Sequence, residues 1–338
     1  MSKHVGRQSV RLENPVYIIN TASTVGPKEG EGPLSEFFDI ILPDSLCGEN
    51  SWEKAESKIV KDTFNKALSK AKLSQENIDY IISGDLLNQN SGSTFAIRDM
   101  DIPFFGIFGA CSTMGEGMSL GALLIDGGFA NNILVGASSH FCASEKQFRF
   151  PLELGTQRTP TSTWTVTGQG TAILSNNTNE KSPRITAITT GKIKDLGITD
   201  ANNMGAAMAP AAFDTINAHV LDLSISPDYY DLIITGDLGY VGHELVLKMF
   251  SEQNMDLRKN YSDCGMLIFD KNKQGTNAGG SGCACSAVTF AGYLYERMKK
   301  EQLNKILFVP TGALMSPTSA QQGETIPGIA HAVAIENL

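Results

Sequence analysis

The chain has 338 residues, 41% hydrophobic and 19% charged, with a net charge of −9; this is a globular composition with room for two domains. It has no dense Lys/Arg run, no stretch of 18 apolar residues, and no apolar core in the N-terminal Met1-Ser2-Lys3-His4-Val5-Gly6-Arg7. A nucleic-acid footprint, a membrane-spanning helix and a secretion signal are therefore not expected, and six scattered cysteines suit reduced thiols in a cytosol-like compartment.

Lys3 to Arg11 reads as a polar arm and Val16 to Asn20 as the first strand. Gly26 to Pro33 is expected to be a loop, because its Gly and Pro residues break both helix and strand. Trp52, Ala55, Ile59, Phe64, Ala67, Leu68 and Ala71 recur at helical spacing and predict a helix over 52–72. Short buried strands follow at Ile81–Ser83 and Phe104–Phe108. The second ends in Gly109-Ala110-Cys111-Ser112-Thr113, where a helix rich in small residues begins and runs to Asp126. Ile133–Val135 is a strand leading into Ser138, Ser139 and His140. Phe141 to Ser162 reads as a long irregular segment, and Thr171–Leu174 as a further strand.

The scheme then starts again. Asp79-Tyr80-Ile81-Ile82-Ser83-Gly84-Asp85-Leu86 returns 152 residues later as Asp231-Leu232-Ile233-Ile234-Thr235-Gly236-Asp237-Leu238. Asn14–Asn20 is echoed by Ser182–Ile188, Asn132–Ala137 by Lys305–Val309, and Gly168–Leu174 by Gly328–Ala334. The offset is too long for a solenoid and suits a duplicated α/β unit. We place the halves at 1–178 and 179–338. In the second half, Asp195 to Pro210 shows no clear period; helices are expected over 210–221, 242–254 and 285–299, and strands at Ile306–Val309 and Ala332–Ile335. Alternating short strands and helices imply stacked α/β layers, with the site at the seam between halves.

Cys111 is the sharpest candidate there. A thiol at a helix start meets free N–H groups and a partial positive charge, which favour the thiolate and offer an oxyanion hole. The bland alternative is a buried structural cysteine. His140 and His331 border strands near small residues and are candidate partners, or satisfied structural histidines; His4, His219 and His243 read as surface residues. Asp85 and Asp237 share one place in the repeat, which suggests capping of the turn that follows. Asn88-Gln89-Asn90 beside Asp85 offers amides to a ligand. Cys283-Ala284-Cys285 is a weak zinc signal without a second pair. The glycines before it fit a close backbone approach, and no nucleotide-binding loop is present. No metal or cofactor is expected.

These residues carry a resemblance. A duplicated α/β chain with Cys111 opening the central helix, and Gly168-Gln169-Gly170-Thr171-Ala172-Ile173-Leu174 closing the first half, resembles the thiolase and 3-ketoacyl-ACP synthase superfamily. Within it, Gly84–Asn90, Phe108–Thr113, Ser138-Ser139-His140, Asp195–Asp200, Met208–Ala212 and Gly279–Ser286 resemble the AD family of stage V sporulation proteins, from about Gly6 to Glu336. The resemblance implies a thiolase-like five-layer αβαβα sandwich of two duplicated halves, usually a homodimer, from endospore-forming bacteria. It implies binding of dipicolinic acid (pyridine-2,6-dicarboxylate), free or as its calcium chelate, and action with membrane proteins of the same sporulation operon. The place implied is the forespore or spore, soluble or peripheral to the inner membrane. Ligand-binding expectations are Cys111, His140, His331, Asp85, Asn88 and Ser281.

Departures from the enzymes of the superfamily matter as much. Those enzymes pair their cysteine with a His after the strand matching Asp231–Thr235, where Gly236-Asp237-Leu238 stands here. They add an Asn before the helix matching the one after Cys285, where Ser281-Gly282 stands. Two readings follow: a ligand-binding protein on this scaffold, or an acyltransferase or condensing enzyme with Cys111 as acyl acceptor and His140 and His331 rearranged around it.

Overall fold

A computed structural model of the chain describes residues 3–148, 157–178 and 180–337. The first sheet holds β1 (Tyr17–Val25), β2 (Tyr80–Gly84), β3 (Phe104–Gly106), β4 (Asn132–Ser139) and β5 (Gly168–Ser175), in the spatial order β1-β5-β4-β2-β3. The second holds β6 (Arg184–Thr189), β7 (Leu232–Thr235), β8 (Tyr261–Asp263), β9 (Lys305–Val309) and β10 (Ala332–Glu336), in the order β6-β10-β9-β7-β8. In both, the first two pairings are antiparallel and the last two parallel. The sheets touch edge to edge where Arg184 stands opposite Tyr17.

The repeated octapeptide supplies the matching strands β2 and β7, and its leading aspartate does one job twice. Asp79 Oδ2 accepts the N–H groups of Asn131 and Asn132 at 2.6 and 3.0 Å. Asp231 Oδ2 accepts those of Asn304 and Lys305 at 2.7 and 3.0 Å. Each carboxylate thus ties the start of the neighbouring parallel strand, satisfying donors that the sheet ladder leaves open.

Helices α1 (Trp52–Ala71) and α2 (Ser91–Ile97) cover the outer face of the first sheet, and α4 (Met204–Leu223) and α5 (Gly239–Ser251) that of the second. Between the sheets lie α3 (Thr113–Asp126) and α6 (Cys283–Thr289), the latter continuing through a π-helical turn, Phe290–Leu294, into Tyr295–Lys299. The result is the five-layer αβαβα sandwich. Its central core packs Met114 and Met118 of α3 and Val288 of α6 against Ile18, Phe308 and Ile335 of the two sheets. Helix α1 buries the expected face, Ala55, Ile59, Phe64, Ala67 and Leu68. Ser51 caps its start, its Oγ accepting the Lys54 N–H, and Lys72 at φ 56° ends it.

Several local expectations give way. α4 starts at Met204 rather than at Pro210, which sits buried inside it. A proline there forfeits one helical hydrogen bond; burial of Gly205 and of residues Ala207 to Ala212 against the second sheet offsets it. Phe141–Phe148 is a helix rather than irregular chain, while the 149–156 part of that segment lies outside the described residues. The expected loop at Gly26–Pro33 contains a helical turn, Pro27–Gly30, with Pro at its first position.

That turn buries Glu29, whose Oε1 accepts the Thr167 N–H at 3.0 Å. Burial pushes its carboxyl up from 4.5 to about 7. The folded chain therefore holds this proton more tightly than the unfolded chain. The associated stability is present below pH 4.5 and lost as pH rises through 7, by about 3 kcal/mol at pH 8. Glu29→Gln keeps an acceptor for Thr167 and cannot ionise. Its melting temperature should fall less than that of the wild type between pH 4.5 and 8; parallel curves for the two proteins would count against a proton on Glu29.

Candidate functional site

Strand β3 runs out through Ile107 and Phe108 to a sharp turn at Ala110, whose φ of 49° is left-handed, at a cost of roughly 1–2 kcal/mol for a residue with a side chain. Three groups brace it. Thr113 Oγ1 donates to the Ala110 carbonyl at 2.6 Å, the Cys283 thiol of α6 donates to the same oxygen at 2.9 Å, and Ser112 Oγ donates to the Gly109 carbonyl at 2.6 Å. The turn delivers Cys111 to the start of α3, in the central layer, with 7% of its surface exposed.

The partner waiting there is an acid. The Asp237 carboxylate, just past the end of β7, lies near enough for its charge to act on the Cys111 thiol. Asp237 Oδ1 accepts from Thr311 Oγ1 at 2.8 Å and Oδ2 from the Gly282 N–H at 3.1 Å, with Ser281 beside it. Gly282 itself sits at φ 95°, and a Cβ on it would lie 2.7 Å from Ser139 Oγ, so only glycine brings this N–H to Asp237. The centre thus draws on α3, β7, the Ser281–Gly282 approach to α6 and Thr311 after β9, from both halves.

Its electrostatics run against nucleophilic chemistry. Burial first, and then the charge of Asp237, hold the Cys111 thiol well above its ordinary range; the Gly282 N–H pulls the other way and is outweighed. This corrects the expectation of a thiolate favoured by the helix start. A helix terminus contributes up to about 1 kcal/mol in ordinary settings, less than one pKa unit, whereas dehydrating a thiolate costs more. Burial also pushes Asp237 up to about 6, against the hydrogen bonds from Thr311 and Gly282 that lower it.

The repeated aspartates have parted company. Asp85 does cap its turn: Oδ1 accepts the Leu87 N–H at 2.9 Å and Oδ2 the Ser93 N–H at 2.7 Å. In the second half that work falls to Asp263 of β8, whose oxygens accept from Leu238, Gly239 and Gly265. Asp237 is thereby freed to face Cys111. The expectation of one shared capping role is corrected for Asp237.

The two candidate histidines are occupied elsewhere. His140 is fully buried, its Nε2 bonded to the Ser45 carbonyl at 2.6 Å and its Nδ1 near the Ala143 N–H; burial lowers its pKa. His331 Nδ1 faces the Gly191 N–H at 3.4 Å, and burial lowers its pKa to about 4. Both rings are therefore neutral at pH 7, and neither of these bonds leads to Cys111. His219 and His243 are not surface residues. His219 is fully buried between Thr189 Oγ1 at 2.7 Å and Tyr230 Oη at 2.6 Å, and His243 stacks on Tyr261. Asn88 lies on the turn after β2, its N–H and Oδ1 both bonded to Gln147.

Sequence reasoning passed over Thr311 and Cys283 as members of the centre. Thr311 follows the strand Ile306–Val309 and carries no mark of its own in the sequence. Cys283 offered a Cys-x-Cys spacing that carries no trace of its bond to Ala110. Among the described residues, no group of three or more His, Cys, Asp or Glu side chains is placed to hold a metal ion, and no helix is long and apolar enough to cross a membrane.

A family model for stage V sporulation protein AD matches residues 6–336. Stage V sporulation protein AD of Bacillus subtilis (strain 168) is 44% identical over 334 residues, covering 99% of this chain and 98% of that one. Among solved structures, 3-oxoacyl-[acyl-carrier-protein] synthase III from Aquifex aeolicus superposes with a TM-score of 0.56 at 14% identity, covering 95% of this chain and 99% of its own. An OleA variant from Xanthomonas campestris gives 0.60 at 13% identity, with 96% and 99% covered. At such identities these two speak for the thiolase-like fold alone.

Proposed function

This chain belongs to the stage V sporulation protein AD family, and from that premise we propose that it serves sporulation as a binding protein for pyridine-2,6-dicarboxylate, held at the seam between the halves, and not as a condensing enzyme. The observation that carries the reading is the Cys111–Asp237 pair. Acyl transfer and condensation need a thiolate, and donors aimed at a developing oxyanion or enolate. A buried carboxylate beside a protonated thiol opposes both charges. In the cell, the protein acts in loading the dicarboxylate into the developing spore, peripheral to the inner membrane and alongside membrane proteins of its operon.

Titration calorimetry with dipicolinate and with calcium dipicolinate tests the binding. Heat of binding from at least one is expected, and silence from both would sink the reading. A thioester on Cys111, found by mass spectrometry after incubation with acyl-CoA, would favour the enzyme instead.

The same proposal includes a homodimer. Strand β3 is the outermost of its sheet and pairs only with β2 among the described residues, and Phe105 on it is 49% exposed. An open edge with exposed aromatics invites pairing with a second copy. Phe105→Lys should shift the sedimentation profile from dimer to monomer; a wild type that already sediments as a monomer would refute this part.

A further inference from the structure

At the end of the first sheet away from Cys111, where α1 ends, β4 begins and the chain leaves β5, lies a polar cleft of about 690 Å³. That is the size of a small-molecule site. Five of its side chains are carboxamides: Asn20, Asn131, Asn132, Asn176 and Asn177. In three of them the oxygen is spent within the chain. Asn20 Oδ1 accepts the Thr21 N–H at 2.9 Å, Asn177 Oδ1 the Thr178 N–H at 2.8 Å, and Asn131 Oδ1 the Asn176 amide at 2.8 Å. A backbone N–H only donates, so the amides of Asn20 and Asn177 cannot be turned round. Their amino groups are left as the free ends, without a partner among the described residues. Asn132 is the reverse case: its Nδ2 donates to the Asn77 carbonyl at 3.0 Å, and its oxygen is left free.

The charges on the rim leave one cation over. Lys70 is paired with Asp39 at 2.8 Å and Glu180 with Lys299 at 3.6 Å. Lys72, the left-handed residue that closes α1, has no such partner among the described residues.

The duplication supplies an internal comparison. Asn20 stands opposite Ile173, just past a break in register in β1; the same rung of the second sheet, past the matching break in β6, holds Ala187 opposite Ala334. Ala187 is buried. Asparagine is disfavoured within a strand, and the fold does not ask for one at this rung. The Asn131–Asn176 pair, by contrast, recurs as Asn304–Asn337 and belongs to the scaffold. Asn20, Asn177 and Lys72 are what the first half adds.

We propose that this cleft binds the phosphate group of a small polyol phosphate, taken from solution or presented as a phospholipid head group. Amide N–H groups and an ammonium donate to phosphate oxygens, and charge strengthens the second kind of bond. The free carboxamide oxygen of Asn132 accepts from a hydroxyl of the polyol. One unpaired cation suits a single phosphate and not a polyanion. The site lies apart from the seam and does not depend on the dicarboxylate reading.

Titration calorimetry of the full-length protein with glycerol 3-phosphate, with glycerol, and with vesicles of phosphatidylglycerol or of phosphatidylcholine tests it. Heat is expected from glycerol 3-phosphate, which marks a soluble ligand, or from phosphatidylglycerol vesicles alone, which marks a head group; glycerol and phosphatidylcholine should give none. Asn20→Ala, which installs the side chain found at the matching rung, and Lys72→Gln should each weaken the binding about tenfold or more. Lys72 is exposed, so its variant carries the test even if Asn20→Ala folds poorly. Silence from both phosphate probes, equal heat from glycerol or phosphatidylcholine, or a Lys72→Gln affinity within about twofold of the wild type would overturn the proposal, whatever dipicolinate does.

Discussion

Cys111 should react with iodoacetamide at pH 7 at least about tenfold more slowly than a free cysteine, and should sustain no acyl transfer. A free thiol titrates near 8.5, so a few per cent is thiolate at neutral pH, and each further unit of pKa removes a factor of about ten. Cys111 stands well above its ordinary value because it is buried, and secondarily because Asp237 is charged. The ranking makes a further prediction. Asp237→Asn removes the second cause and leaves the first, so it should recover only part of the lost reactivity. Alkylation rate against pH gives the thiol pKa for both proteins, and a radiolabelled malonyl-transfer assay gives turnover. A wild-type pKa below about 8, or steady product formation abolished by Cys111→Ala, would restore the enzyme.

Gly170→Ala should cost about 4 kcal/mol or more, a large part of the total stability of an ordinary domain. Gly170 lies on β5, where the backbone of α6 crosses the first sheet. A Cβ there would stand 2.1 Å from the Ala287 carbonyl carbon, 2.2 Å from its oxygen and 2.6 Å from the Val288 nitrogen. Overpacking between side chains is partly relieved by rotamer changes and typically costs 1–3 kcal/mol. Here main chain meets main chain, so the whole helix must move. It would then draw Ala284 and Val288, both fully buried, out of the core shared by the halves, adding cavity cost to the clash. Guanidinium unfolding should show a much earlier midpoint, or the variant should fail to fold. A loss under 1 kcal/mol would mean that α6 is not seated this way.

The duplicated architecture and the best of the helices are legible from consecutive residues alone. Two octapeptides with the same alternation of Asp, buried aliphatics and Gly-Asp-Leu form β2 and β7 in matching places of two sheets with one strand order. The helix from about Thr113 to Asp126, rich in small residues, forms with those bounds. Cys111 was legible as the residue at the turn before it. Those signals are local: they report what a few consecutive residues allow the backbone to do.

What each polar side chain meets depends on packing between distant segments. His219 and His243 carry no mark of burial in their own helices; they are enclosed because Thr189, Tyr230 and Tyr261 arrive from elsewhere in the chain. Pro210 reads as a helix start until burial of its neighbours carries the helix back to Met204. Asp85 and Asp237 are the same residue in the same repeat, yet one caps a turn and the other confronts a thiol. The difference is made by Asp263 of β8, which takes over the turn in one half alone, and by Thr311 and Gly282, which reach the Asp237 oxygens from two distant points of the chain and leave its charge beside Cys111. A charge or proton affinity depends on burial and on such neighbours, so the chemistry of the seam was set by the packing of the halves and not by the motif that names its residues.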